Sequence, residues 1–425
     1  MKIAIIGSGI SGLTIAHHLH GEHEITVYEA NNYIGGHSNT VVVKEQHHSV
    51  PIDTGFIVFN DWTYPNFESL LKTINVNIEN SEMSFSAKCI KTGFEWCGNG
   101  IKGLVFNQSN WHQIKSYQIL FDFLRFNWLS KKLLDEDAID CTLGKFLKEN
   151  KFSQTFIDYY IIPMGAAIWS STAQDIHNYP AHSYLRFFRN HGLLNISHRP
   201  QWKTISGGSK EYVSKLTEPF SDRIKLNCAV EKITRQGGGV TIHTANDSPR
   251  HFDHVFMACH SDQALQMLER PTALEHQILK SIEYQFNLAT LHTDSSLMPS
   301  NKDAWSSWNY LLPENKNEHV KVTYYMNRLQ NLNTQQDYFV SLNLEKQIDP
   351  SKVIRHIAYM HPVFNQQAIN AQNQFSEING IENTWYCGAY WRNGFHEDGV
   401  WSAKQALKYF NLKSQDEELY LQRAS

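Results

Sequence analysis

Six residues close to the amino terminus, Gly7-Ser8-Gly9-Ile10-Ser11-Gly12, constrain what this chain can fold into more than any other stretch. They follow Lys2-Ile3-Ala4-Ile5-Ile6, an apolar run of strand length, and precede Leu13 to Leu19, which takes up helical spacing. Strand, glycine turn and helix in that order open a dinucleotide-binding fold. Gly7 allows the tight turn, Gly9 lets backbone approach a pyrophosphate, and Gly12 lets helix pack closely on strand. The helix start, at Ile10 and Ser11, aims free N–H groups at the anion. Ile25-Thr26-Val27-Tyr28 supplies a second strand ending at Glu29, near the roughly 20-residue offset at which a carboxylate accepts both ribose hydroxyls. A carboxylate there repels a 2′-phosphate, so NAD and FAD both qualify. A glycine turn of this shape with no ligand is the remaining reading.

The next residues separate these readings. Glu29-Ala30-Asn31-Asn32-Tyr33-Ile34-Gly35-Gly36-His37, followed by Ser38, resembles the extended fingerprint of flavoproteins of the amine oxidase and phytoene desaturase superfamily. In that superfamily the second glycine pair passes the diphosphate, which an NAD enzyme has no need of. The resemblance therefore implies FAD, and noncovalent FAD, because no cysteine stands at a flavin-linking position. It extends to Asp53-Thr54-Gly55-Phe56-Ile57, similar to the acid-x-glycine segment that lies against the flavin ring. On its own chemistry this segment is a small-residue turn and fits a hairpin equally well. Val230 matches the residue that holds the adenine by its backbone. Gly388, Phe395, His396 and Gly399 belong to a stretch resembling the closing FAD motif, where a helix start faces the flavin pyrimidine and stabilises the anionic reduced ring. His396 and Glu397 are the candidate acid and base, with helix capping and FAD contact as the plainer alternative.

A narrower resemblance rests on Gly35-Gly36-His37, Asp53-Thr54-Gly55-Phe56-Ile57-Val58-Phe59-Asn60, Leu291-His292-Thr293-Asp294, Trp305-Ser306-Ser307-Trp308-Asn309-Tyr310 and Gly394-Phe395-His396-Glu397-Asp398-Gly399 taken together. These look like amine-oxidase-like flavoproteins encoded beside cyclopropane fatty acid synthases and fused to them in plants. The resemblance implies a small hydrophobic or lipid substrate and a cyclopropane fatty acid synthase-like methyltransferase as functional partner. Departures from the wider superfamily stand beside it. Amine oxidases usually carry an arginine where Tyr33 and His37 stand, an acid at Tyr390, and a flavin-facing tyrosine at Phe395. Their flavin-side lysine has Asn287 as its nearest counterpart. Amine oxidation is weakened accordingly.

With 425 residues the chain is long for one core, and about two domains are expected. The fold class is α/β: a Rossmann-like FAD-binding domain with a parallel sheet, interleaved with an α+β substrate-binding domain. Residues 1–80, 200–270 and 380–425 form the first, and 81–199 and 271–379 the second. Ile119 to Leu129 is dense in large apolar residues and reads as a helix that is buried or faces lipid. Tyr284 to Asp294, Trp305 to Leu311, His319 to Met326 and Tyr338 to Leu344 read as strands flooring the substrate domain, and His292-Thr293-Asp294 reads as a satisfied strand-end histidine, with a functional role as the alternative.

A net charge of −4 with no basic block excludes nucleic acid as a partner. The six scattered cysteines form no CxxC pair, so neither zinc nor a disulfide framework is indicated and the compartment is a reducing one. His17, His18, His20 and His23 lie on or just past the first helix and are not read as metal ligands. The apolar start mimics a signal peptide, yet its glycines fall where a dinucleotide fold needs them, and no run reaches the roughly 18 apolar residues of a membrane span. The expected location is the cytoplasm, with peripheral contact at the inner face of the membrane left open.

The leading expectation is an FAD-dependent oxidoreductase dehydrogenating a modified or unsaturated fatty acyl chain. Two alternatives remain: an amine or amino acid oxidase, and a non-redox flavoprotein that isomerises or hydrates its substrate or hands lipid to a methyltransferase. A flavin accepts the hydride itself, so the absence of a triad or acid pair is no objection to the redox readings.

Overall fold

The computed structural model describes every residue except 47, 90, 91, 99–113, 137, 138, 196, 313, 314, 316, 317 and 425. Its opening strand, Lys2–Ile6, is buried over the last four residues. A short strand that is apolar throughout, with no alternation, belongs inside a parallel sheet covered on both faces. Lys2–Ile6 accordingly pairs in parallel with Glu24–Tyr28 on one side and His254–Met257 on the other. Ile224–Lys225 and Thr384–Tyr386 complete a five-stranded sheet, also in parallel. All five strands lie within segments 1–80, 200–270 and 380–425, so distant parts of the chain deliver their carboxyl ends to one edge. Such an edge is where ligands bind in doubly wound sheets.

The turn helix Ile10–Leu19 packs against the final helix, His396–Ala424. Contact is close because Gly399 has no side chain: a Cβ there would lie 2.7 Å from Ile10 Cγ2. Ser11 Oγ donates to the Gly399 carbonyl at 3.1 Å across the same crossing.

A seven-stranded sheet forms the second layer, in the order Val353–Val363, Glu283–His292, Phe339–Leu342, Val322–Tyr325, Trp308–Leu311, Phe85–Lys88 and Glu95–Cys97. Sequence patterning predicts no strand over Val353–Val363, yet it pairs antiparallel along the whole of Glu283–His292. It is an edge strand, which tolerates Pro362 and the broken alternation of VIRHIAYMHPV. His292 is buried with Nε2 on Ser341 Oγ at 2.8 Å and Nδ1 accepting from the Asp294 N–H, the satisfied strand-end histidine expected.

Helices cap the far side. Ile114–Asp135 is longer than the expected Ile119 to Leu129 and is buried on one face only. Phe126 packs with Phe146, Phe152, Phe156 and Phe188 in an aromatic core. Among the described residues no group of three or more His, Cys, Asp or Glu could hold a metal ion, and no helix is long and apolar enough to cross a membrane.

Candidate active site

One continuous cavity of about 1220 Å³ runs from the glycine turn, across the ends of the parallel strands, into the space between the second sheet and the helices. An ordinary small-molecule pocket holds roughly 300–1,000 Å³, so this one has room for a dinucleotide and a substrate end to end. Gly7, Gly9, Ile10, Ser11, Glu29, Ala30, Gly35, Gly36 and His37 line one end, with Val230 beside them. Gly55, Phe56, Ile57, Gly388, Phe395 and His396 line the middle. Of the residues expected to hold FAD, these sixteen face the cavity.

The wall fits the cofactor on three observations. A Cβ on Gly9 would meet nothing within 4 Å, so this glycine borders open space, and a Cβ on Gly36 would lie 3.3 Å from Gly9 Cα. Any larger residue would fill the slot between them. Gly9 is also the N-cap of the first helix and provides no side-chain acceptor, leaving the helix start available to a diphosphate. Finally, several buried polar atoms on the wall, His37 Nε2 and the Tyr390 hydroxyl among them, have no hydrogen-bond partner within the protein. Such atoms are uncommon in interiors unless a ligand satisfies them.

Glu29 faces the cavity and also braces the turn. Its carboxylate accepts from Ser8 N at 3.0 Å, Ser8 Oγ at 2.6 Å, and Asn31 N and Nδ2 at 2.9 Å each.

Five of the expected site residues do not reach the cavity, and each has a physical reason. Gly12 is buried behind the turn, where a Cβ would lie 2.0 Å from the Gly7 carbonyl oxygen. Gly399 serves the helix crossing described above. Ser38 turns inward, its Oγ shared by the Tyr212 hydroxyl and His396 Nε2. Asp53 is corrected outright: it ends the strand Ser49–Asp53 with its carboxylate turned away, bonded to Thr40 Oγ1, Ser209 N and Gln330 Nε2. Burial pushes its carboxyl up to about 6, against those bonds.

Glu397 is the second correction. Its oxygens accept from Asn66 N and Phe67 N, each at 3.0 Å, and from Asn66 Nδ2 at 2.6 Å. It caps the helix Pro65–Thr73, whose own N-cap, Tyr64, makes no side-chain bond. The plainer alternative, capping, is what the geometry provides. Glu397→Ala is expected to lower stability by about 1–2 kcal/mol, the usual cost of a lost cap, as measured by denaturant unfolding. Turnover per bound flavin should be unchanged; a loss of more than about tenfold in that ratio would restore the catalytic assignment.

His396 is on the wall but tightly held. It stacks on Phe56 with ring centroids 3.6 Å apart, and its Nε2 also meets the Tyr212 hydroxyl at 3.2 Å. Burial, with a smaller contribution from His37, drives its pKa well below the ordinary imidazole value, so the ring is neutral.

Three further residues were invisible to sequence reasoning. His260, the N-cap of the helix Ser261–Met267 that follows the His254–Met257 strand, stacks on Tyr284 at 4.4 Å. His361 and Tyr359 come from the unpredicted edge strand, and His37 stacks on Tyr359 at 4.7 Å and lies 5.3 Å from His361. Burial pushes His37 and His260 down to about 4 and His361 to about 3, each with a neighbouring imidazole adding to it. The surroundings of His37 are thus built from uncharged rings. The only available signal was the period-two placement of Tyr359 and His361, which puts both on one face of a strand.

Beyond Phe395 the wall changes character. Phe85, Trp96, Phe123, Tyr160, Met164 and Trp308 are typical of it. Among the described lining residues the carboxylates are Glu29 and Glu231, both at the dinucleotide end, and Arg199 is the sole lysine or arginine.

A family model for flavin containing amine oxidoreductases matches residues 10–302. The chain belongs to that family. That family is flavin-containing, in keeping with the FAD expected, and the expected α/β class stands. Among curated relatives, a Mycobacterium tuberculosis protein named as a flavin-containing monoamine oxidase is 23% identical over 255 residues, 57% of this chain and 53% of the relative. The chain therefore spans about half the length of the curated relatives it matches. Solved structures extend the likeness to nearly the whole chain. Cyclohexylamine oxidase from Brevibacterium oxydans superposes with a TM-score of 0.69 at 14% identity, covering 97% of this chain and 99% of that one. A fatty acid isomerase from P. acnes gives 0.70 at 16% identity, covering 96% and 98%. At such identities these two show the fold that this flavoprotein family shares.

Proposed function

We propose that this flavoprotein dehydrogenates a hydrophobic substrate, a modified or unsaturated fatty acyl chain. The observation that carries the reading is the apolar, aromatic wall beyond Phe395, which holds neither of the cavity's two carboxylates. An ammonium group buried there would lack a counter-charge at a cost of several kcal/mol. An acyl chain in the same place gains about 0.8 kcal/mol for each buried CH₂.

FAD supplies the hydride acceptor when bound. The chain's own residues bind, orient and exclude water. The glycine slot and helix start receive the diphosphate, Glu29 the ribose, and Val230 the adenosine end. Phe56, His396 and Phe395 flank the middle of the cavity, and the aromatic wall keeps the substrate dry and aligned. A methyltransferase of the cyclopropane fatty acid synthase type is the partner this reading implies, because it makes acyl chains of the class proposed.

Anaerobic mixing with phospholipid carrying unsaturated or methyl-branched chains is expected to bleach the visible flavin band, whereas a panel of amines leaves it intact. Bleaching by an amine and not by lipid would overturn the proposal in favour of amine oxidation. Conversion of lipid without bleaching would overturn it in favour of a non-redox isomerase or hydratase.

A further inference from the structure

The Ile114–Asp135 helix has an apolar face that the cavity does not use. Its inner side buries Ile119, Phe126 and Leu134 and sends Leu120 and Phe123 into the cavity wall. Its outer side exposes Ile114, Tyr117, Phe121, Leu124 and Trp128, spaced alternately by three and four residues. That spacing makes a straight stripe along one face. Ile114 is 75% exposed, Phe121 66% and Trp128 65%, so these are not rims of a core but side chains standing in water. Monomeric proteins seldom leave so large a contiguous patch uncovered without a use for it.

Charge indicates what covers it. The helix carries Lys115, Arg125, Lys131 and Lys132 against Asp122 and Asp135, within a chain whose net charge is −4. Asp122 is buried, with its oxygens on Arg125 and the Ser153 N–H, so it offers no negative charge at the surface. Lys131 and Lys132 are exposed; Lys132 faces Glu136 at 3.9 Å and the exposed Asp135 is taken up by Arg189 at 3.1 Å, so the cations at this end still outnumber the carboxylates. Lys131 Nζ donates to Asn195 Oδ1 at 2.8 Å, and Arg199 Nε donates to the Asn195 carbonyl at 3.1 Å. The basic end of the stripe is thereby joined to Arg199, which is exposed and lines the cavity. A stripe of Phe, Leu, Trp and Tyr bordered by lysine and arginine matches the headgroup boundary of an anionic bilayer, where aromatic rings settle and basic groups meet phosphate.

We propose that this face docks peripherally on an anionic lipid surface, with the stripe lying in the headgroup plane. Substrate then passes from the leaflet beside Arg199 and the Leu120 and Phe123 wall into the cavity. The inference deepens the acyl-substrate reading by naming where the substrate lies, and it rests on that reading.

The test is co-sedimentation of the full FAD-loaded chain with vesicles of saturated phosphatidylcholine, with and without saturated phosphatidylserine. The wild type is expected to pellet with the phosphatidylserine vesicles, less with phosphatidylcholine alone, and to be released by salt. Removing two exposed anchors in Phe121→Ser with Trp128→Ser is expected to weaken binding about tenfold or more. Lys131→Glu with Lys132→Glu is expected to do the same for anionic vesicles only. Both variants should retain their flavin content and their turnover on detergent-dispersed substrate. A wild type that stays in the supernatant with anionic vesicles overturns the proposal, as does a Phe121→Ser, Trp128→Ser variant that pellets normally. A lipid-free dimer that becomes a monomer in that variant would assign the stripe to a second copy of the chain instead. Because these vesicles carry only saturated straight chains, a failure to dock is distinct from a failure of the acyl-substrate reading, which the bleaching experiment decides alone.

Discussion

Gly9→Val is expected to yield a folded protein that purifies without flavin. The backbone at Gly9 has φ −71° and ψ 177°, an extended conformation open to any residue, and a Cβ would touch nothing. No strain accompanies the substitution, so stability should be kept. The added methyl groups would instead enter the slot facing Gly36, which the diphosphate needs. Overfilling a fitted site costs about 1–3 kcal/mol, a loss of roughly tenfold to hundredfold in affinity for FAD. Visible absorbance and thermal unfolding of the same preparation separate the two effects. Gly12→Val is the contrasting control. A Cβ there would lie 2.0 Å from the Gly7 carbonyl, so the strand and helix cannot close and soluble protein should be lost along with flavin.

The largest stability effect is expected at a buried ion pair behind the adenosine end. Arg235 leaves the strand Val230–Gln236, five residues after Val230, and its guanidinium donates to Glu275 at 2.6 Å and 2.9 Å. The side chains are 4% and 0% exposed. Tyr386, at the end of the last parallel strand and just before Gly388, donates to the same carboxylate at 2.6 Å. One carboxylate therefore ties the strand that carries Val230 to the strand that leads into the closing motif. Glu275→Ala would leave the buried guanidinium with only the half-exposed Glu382 at 2.8 Å as a counter-charge, at an expected cost of about 3–5 kcal/mol. Denaturant unfolding checks this, and a loss below about 1 kcal/mol would mean water or Glu382 compensates Arg235. The pH dependence has a definite sign. Burial alone would raise the Glu275 pKa, but the bonds from Arg235 and Tyr386 outweigh it and hold the pKa below the usual carboxylate value. A depressed folded pKa contributes stability above the unfolded pKa and loses it as pH falls through the folded value. The gap between wild type and Glu275→Ala should therefore narrow on acidification below about pH 4.

The parts of the site that could be read directly from residue order are those whose chemistry is local. A glycine turn between an apolar strand and a helix, an acid at the end of the next strand, and a second glycine pair all act through neighbouring backbone, so their order along the chain contains their geometry. Asp53 and Glu397 show the limit of that reasoning. Successive residues at a strand end point to opposite sides, so Thr54 can line the cavity while Asp53 turns to Ser209 and Gln330. Glu397 looks like an acid beside the flavin until Asn66 and Phe67, more than three hundred residues earlier in the chain, present their N–H groups to it. His260, Tyr359 and His361 escaped notice for the complementary reason. Each is unremarkable among its neighbours in sequence, and only the pairing of Val353–Val363 with Glu283–His292 carries the last two to the cavity. The helix Ile114–Asp135 was readable as apolar, but which of its faces meets water depends on what packs against it.

The central claim, that three separated segments enclose one noncovalent FAD, is tested most directly by the flavin content of the purified protein. Heat denaturation followed by centrifugation should release one equivalent of FAD per chain into the supernatant and leave a colourless pellet. A preparation that holds no flavin after reconstitution, or whose flavin stays with the precipitated polypeptide, would contradict it.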